Sequence, residues 1–170
     1  MLRFIQTVGI IGFFICLSIM YMTNHGVRAI QKYYPSFQIP DMKFHYSVEQ
    51  ITHDFERIGN AGRMIYQRYL YLDFIFIICF IILMLTISNS LFSRTAIHNF
   101  LFAVCILRAL FDILENSFLL SVLKNYPSIN KSAISVCSYF TTFKFIMLYI
   151  WIFVLIIQLI LMGIPKLKLF

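Results

Sequence analysis

The sequence predicts an all-α membrane protein, a four-transmembrane-helix bundle with one short amphipathic surface helix in its first long loop. One observation is composition, since 61% of the 170 residues are hydrophobic and 12% are charged, against about 45–50% and about 25% in soluble domains. The other is a set of four apolar runs, each able to cross about 30 Å of hydrocarbon, near residues 5–23, 67–88, 98–122 and 134–162. Backbone groups in lipid must bond within their own segment, so these runs are helices. The length predicts a single integral membrane domain over residues 1–170.

The first apolar run is expected to remain in the mature protein. It begins near Arg3 and is longer and more aromatic than the core of a typical signal peptide. The bulky polar stretch YMTNHGV follows it, rather than a small-residue cleavage site. Gly9 and Gly12 lie within the run, and we expect them to let another helix approach closely.

The loop over residues 24–66 separates the first two spans. Within it, the stretch YYPSFQIPDMKF has two prolines and no helical period, so we expect that stretch to be extended. Ser47 followed by Gln50 forms a capping box that starts a helix, and Gly59 can end it. The apolar face of this helix lies at helical spacing and consists of Val48, Ile51, Phe55 and Ile58. The helix therefore lies on the membrane surface or folds back onto the bundle.

Charge and cysteine usage exclude several classes of protein. The formal charge of +7 comes from basic residues at the ends of apolar runs, which favours anchoring to anionic lipid headgroups over binding to nucleic acid. Each of the four cysteines lies in a separate apolar run without a C-x-x-C pair, so we expect buried free thiols: Cys16, Cys79, Cys105 and Cys137. The histidines show no metal-binding spacing, so we expect neither a metal nor another cofactor.

The third span carries a polar stripe at a depth where polar groups are rare. On a helical wheel, Arg108, Asp112, Glu115, Asn116 and His98 fall within an arc of about 100°. An ionised side chain at the centre of a bilayer costs roughly 3 kcal/mol or more, so this arc should face the bundle interior. Arg108 and Asp112 are spaced to pair across one helical turn.

Matched depth brings two further ionisable residues toward this stripe. Asp73 lies in the second span, and Lys144 lies about as deep in the fourth span as Asp112 does in the third. We therefore expect a polar cluster from three helices, consisting of Asp73, Arg108, Asp112, Glu115, Asn116 and Lys144. Such a cluster either fixes helix register as a buried ion-pair network, or lines a pocket that opens toward the long loop under the amphipathic helix.

Several of these motifs together resemble a known pattern. The stretches YSVEQ, IGNAGRMIYQRYLYLDFIF, FDILEN and TTFKF resemble a largely uncharacterised family of small four-span membrane proteins. The matching residues are Tyr46, Ser47, Glu49, Gly59, Gly62, Arg63, Tyr66, Asp73, Asp112, Glu115, Asn116 and Lys144. In architecture alone, the chain is similar to the sterol-isomerase and sigma-2 receptor superfamily. That similarity implies buried carboxyl groups that bind an amine or protonate a sterol double bond.

Three functions fit these patterns. The first is an accessory subunit of a larger membrane assembly, with membrane lipids and other membrane protein chains as partners. The second is a protein that binds a lipid or an amphipathic cation, with Asp73, Asp112 or Glu115 as counter-ion. The third is a lipid- or sterol-modifying enzyme in which Glu115 or Asp112 acts as general acid. For each of them we expect a bacterial or a mitochondrial inner membrane.

Overall fold

The described part of the chain, residues 2–92 and 95–167 of a computed structural model, is helical and contains no strand. Its elements are α1 (Leu2–Met22), α2 (Val27–Gln31), a 3-10 turn (Pro40–Met42), α3 (Val48–Arg57), α4 (Gly59–Leu91), α5 (Thr95–Lys124) and α6 (Lys131–Leu167). Four helices in these residues are long and apolar enough to cross a membrane, and they contain α1, α4, α5 and α6. The predicted all-α fold class with four candidate spans is therefore confirmed.

The second candidate span begins earlier in the chain than the apolar run predicts. Helix α4 starts at Gly59 rather than near residue 67, and its first turns bury Gly62, Tyr66 and Tyr69. Hydropathy measures only the stretch that matches hydrocarbon, whereas these polar and aromatic turns are stabilised by packing against the loop. Gly59 has a φ of 64°, a conformation that glycine adopts at little cost, and it allows α3 and α4 to follow one another directly.

The four long helices pack in chain order. Helix α1 contacts α4, α4 contacts α5, and α5 contacts α6. The close approach predicted at the glycines of α1 is present, because a Cβ on Gly12 would lie 2.6 Å from the sulfur of Cys79, and one on Gly9 would overlap Ile82. Extensive contacts of this kind are found between neighbours in the chain but not between α1 and α6. The described bundle is thus open along the seam between its first and last helices.

Helix α3 is capped as predicted and packs against the bundle. The Ser47 hydroxyl accepts a hydrogen bond from the Gln50 backbone N–H, and the Gln50 side chain accepts one from the Ser47 N–H. Ile51, Phe55 and Ile58 are fully buried, so the apolar face is covered by protein rather than by headgroups. Of the two placements of α3 that the sequence allows, the structure therefore has the one in which the helix folds back onto the bundle.

The stretch YYPSFQIPDMKF is not extended throughout, because it contains turns and the 3-10 turn at Pro40–Met42, so that prediction is wrong there. It buries Phe37 and Ile39, and α2 just before it buries Val27 and Ile30, in the same core as the loop end of the bundle. These elements are too short to produce a detectable period. They hold their shape because apolar side chains between polar ones pack onto the long helices, with α2 lying against α4.

Two apolar cores lie at the two ends of the bundle. One joins the loop to α1, α4, α5 and α6, and the other surrounds Trp151, whose indole N–H donates to the Ser88 hydroxyl at 2.9 Å. All four cysteines are buried and free, as predicted. Between the cores, α4, α5 and α6 carry the predicted polar residues.

Candidate functional site: a buried charge cluster beside a cavity

The centre of the cluster is a carboxylate held by two cations. Arg108 Nη2 lies 2.8 Å from Asp112 Oδ2, and Lys144 Nζ lies 2.8 Å from Asp112 Oδ1. The same ammonium lies 2.6 Å from Glu115 Oε2. Lys144 is 5% exposed, so its ammonium pairs inside the bundle. These ion pairs connect α5 to α6 at the middle of both helices.

Hydrogen bonds extend this centre toward α4 and the loop. The Asn116 amide donates to Asp73 Oδ2 at 2.6 Å, which connects α5 to α4. The Thr141 hydroxyl donates to Glu115 Oε1 at 2.5 Å and lies 3.3 Å from the Tyr46 hydroxyl. The Tyr46 backbone N–H in turn donates to Ser138 at 2.9 Å. The loop is therefore tied to α6 within two helical turns of Lys144.

The structure brings all six residues of the predicted cluster together in the bundle interior. They are between 0 and 6% exposed: Asp73, Arg108, Asp112, Glu115, Asn116 and Lys144. His98, from the same stripe, lies at the other end of α5 and contacts the Asn89 side chain instead. The helical wheel places His98 on the same face of α5 as the cluster, but His98 lies too far along the helix to reach it.

One acidic residue of this region was missed by the sequence reasoning. Asp41 lies on the 3-10 turn and is 3% exposed, and its Oδ1 atom has no hydrogen-bond partner. Burial raises the pKa of the Asp41 carboxyl well above its usual range, against the opposing effect of the Lys144 charge. The loop has no period from which a direction could be read, so only the fold places Asp41 here.

A cavity of about 190 Å³ adjoins the cluster. Its surface is mostly apolar, and the polar residues among those that line it are Tyr21, Asp41, Tyr69, Asp73, Arg108, Asp112 and Lys144. Leu17 of α1 and Phe145 and Leu148 of α6 line it from the two sides of the seam. All four long helices thus contribute to one cavity, which lies along the side where α1 and α6 do not pack together.

The roof of this cavity differs from the sequence-based expectation. Asp41 and Met42 of the 3-10 turn cover it, and no residue of α3 is in its wall. The turn is held by an ion pair, because Lys43 Nζ lies 3.3 Å from Asp54 Oδ2 of α3. Helix α3 therefore supports the roof without forming it. Glu115, although central to the cluster, is not among the residues that line the cavity.

The cavity and cluster together contain more acids than bases. Four carboxyl groups (Asp41, Asp73, Asp112 and Glu115) face two cations (Arg108 and Lys144). Both cations are engaged with Asp112 or Glu115, which leaves Asp41 and Asp73 without a basic partner among the described residues. Within those residues no group of three or more histidine, cysteine, aspartate or glutamate side chains is arranged to hold a metal ion.

Comparison with known proteins adds no further constraint on this site. No protein-family model, curated protein or solved structure matches the chain. The two resemblances drawn from the sequence motifs therefore stay predictions. What can be concluded about the site comes from its own geometry.

Proposed function

We propose that this chain is an integral membrane protein that binds an amphipathic cation from the surrounding bilayer in the cavity between α1 and α6. The observation that carries the proposal is the excess of buried acid at the cavity wall. Asp73 has Asn116 as its partner rather than a base, and Asp41 has a carboxyl oxygen with no partner. A cationic headgroup supplies the missing positive charge.

The membrane location is supported by the outer surfaces of the helices. Large apolar side chains are exposed along α1 and α6, with Phe4 at 72% and Phe153 at 63% exposure. Exposed apolar surface on this scale is stable in lipid and costly in water. A ligand dissolved in the bilayer could pass along these faces to the seam, place its chain beside Leu17 and Leu148, and bring its headgroup beneath the 3-10 turn.

The cation preference follows from the cost of isolated charge. A carboxylate buried without a counter-ion is strongly disfavoured and takes up a proton instead. The raised pKa of Asp41 has this origin. A bound cation reverses the balance, because attraction between close opposite charges is strong where water is excluded. Without a ligand, Asp41 and Asp73 destabilise the fold. When a cation is bound, they provide the charge contact that recognises it.

The other two functions stay predictions. A general acid must carry a proton and reach its substrate. Glu115 does not line the cavity, and both oxygens of Asp112 are engaged by cations. A subunit of a larger assembly would use the exposed faces of α1 and α6, but these faces suit lipid equally well. Neither function uses Asp41 and Asp73, the two acids that lack a basic partner.

We expect dodecyltrimethylammonium to stabilise the purified protein saturably in dodecyl maltoside micelles. Thermal unfolding at pH 8, where more Asp41 is ionised, should show a rising midpoint that levels off as the ligand site fills. Laurate and dodecanol have the same chain length without the positive charge, and neither should produce this shift. Asp73→Asn should weaken binding by about tenfold, roughly 1.4 kcal/mol, since it removes one counter-ion.

The matched control is Glu56→Gln, which removes one carboxylate on the exposed side of α3. Its binding should equal that of the unmodified protein. Asn at position 73 keeps the side-chain shape and can still accept from Asn116, so the variant should fold. A response to laurate or dodecanol equal to the response to the cation would contradict the proposal, as would an Asp73→Asn variant that binds unchanged.

A further inference from the structure

Arg108 has hydrogen-bonding capacity that the protein leaves unused. Its Nη2 atom pairs with Asp112, but Nε and Nη1 are buried and have no hydrogen-bond partner. The guanidinium carbon lies 4.2 Å from the centre of the Phe80 ring. Buried donors are nearly always satisfied in folded proteins, and a charged donor without a partner is especially costly. Such an exception requires an explanation.

The position of Arg108 in the fold explains why these two donors lack a partner within the protein. Arg108 and Phe80 both line the cavity, as do Asp73 and Asp41. A ligand headgroup beside the two acids would therefore also lie beside the guanidinium. The only groups that can satisfy guanidinium N–H donors are acceptors, and planar oxygen groups suit their fork geometry best.

We propose that the occupant carries an acceptor oxygen of the carbonyl type close to its cationic group, and that Arg108 recognises it. This inference rests on the proposed function, since it adds a second contact to the same ligand. The ligand class then narrows from any cationic amphiphile to an acylated one, such as an ester or amide of an amino alcohol. Arg108 determines specificity, while Asp41 and Asp73 provide the charge contact.

The pairing with Asp112 prepares Arg108 for this role. One edge of the guanidinium is fixed by the carboxylate, and the Phe80 ring supports its face at a distance typical of a cation–π contact. The group is thus held in place before the ligand arrives. A preorganised donor loses less entropy on binding than a flexible one.

The experiment compares lauroylcholine with 2-(dodecyloxy)ethyl-trimethylammonium, an ether of equal length that lacks the carbonyl oxygen. Binding of each is measured by calorimetry in dodecyl maltoside. We expect the protein to bind the ester about tenfold more tightly than the ether, as for hydrogen bonds to a charged group. Equal affinities would overturn the inference and leave the proposed function standing. Failure of both probes to bind would overturn the proposed function itself.

Arg108→Lys tests the residue, because a lysine can still neutralise Asp112 but lacks the forked donors. The ester-to-ether affinity ratio should therefore fall toward one. A ratio that stays near ten would overturn the assignment to Arg108. Phe80→Leu provides a second variant that keeps both charges, and it should lower the ratio by loosening the guanidinium. An unchanged ratio in Phe80→Leu would contradict the preorganised geometry.

Discussion

Lys144→Met should lower the free energy of unfolding by about 3–5 kcal/mol, the usual cost of removing one partner from a buried ion-pair network. The ammonium lies within 2.8 Å of both Asp112 and Glu115, and methionine fills a similar volume without charge. Asp112 would keep Arg108 as its partner, and Glu115 would be left without a cation. Titration of unfolding with dodecyl sulfate in mixed micelles, followed by circular dichroism, measures the change.

The control for this variant is Lys124→Met, which removes an exposed lysine at the end of α5 and should change stability by less than about 0.5 kcal/mol. Combining Lys144→Met with Glu115→Gln should recover part of the loss, since one unpaired acid is removed as well. If Lys144→Met were as stable as the control, Lys144 could not be the buried link between α5 and α6.

Asp112→Leu is the second change with a large expected effect, again about 3–5 kcal/mol. It leaves Arg108 without its carboxylate partner and Lys144 with Glu115 alone. The loss should be smaller in the double variant Arg108→Met with Asp112→Leu, because an apolar pair replaces a charged pair and no cation remains unmatched. The same detergent titration compares the single and double variants.

A strictly additive double variant would contradict this account of Asp112, since additivity is the behaviour of residues that do not interact. Ser117→Leu is a useful companion. It places the same residue type on an exposed position of α5, where little change is expected. Together the two variants separate the loss of an ion pair from the effect of adding leucine to this helix.

The core of the candidate site could be predicted because helical geometry is regular. The spacing of Arg108, Asp112, Glu115 and Asn116 on one face follows from 3.6 residues per turn. The cost of charge in lipid then dictates that this face turns inward. Lys144 could be added because an antiparallel neighbour of known length has a predictable depth. These residues obey two rules that need no knowledge of the tertiary structure.

The remaining parts of the site could not be predicted because they depend on irregular backbone. Asp41 lies in a loop whose path is set by how Phe37 and Ile39 pack, and neither has a periodic pattern around it. In the sequence, nothing distinguishes Thr141 from other threonines in helices. Only the structure shows that its hydroxyl lies 2.5 Å from the Glu115 carboxylate. The seam between α1 and α6 is also invisible in sequence, because hydropathy identifies spans and not which spans adjoin.

The most direct test of the proposed cavity is photo-cross-linking in dodecyl maltoside micelles with a dodecyltrimethylammonium probe that carries a diazirine in mid-chain. Peptide mapping should place the labels at the cavity seam, on Leu17, Phe145 and Leu148, and an excess of unlabelled dodecyltrimethylammonium should remove them. Labels confined to outward-facing residues such as Phe4 and Phe153, and unaffected by the competitor, would contradict a binding cavity between α1 and α6.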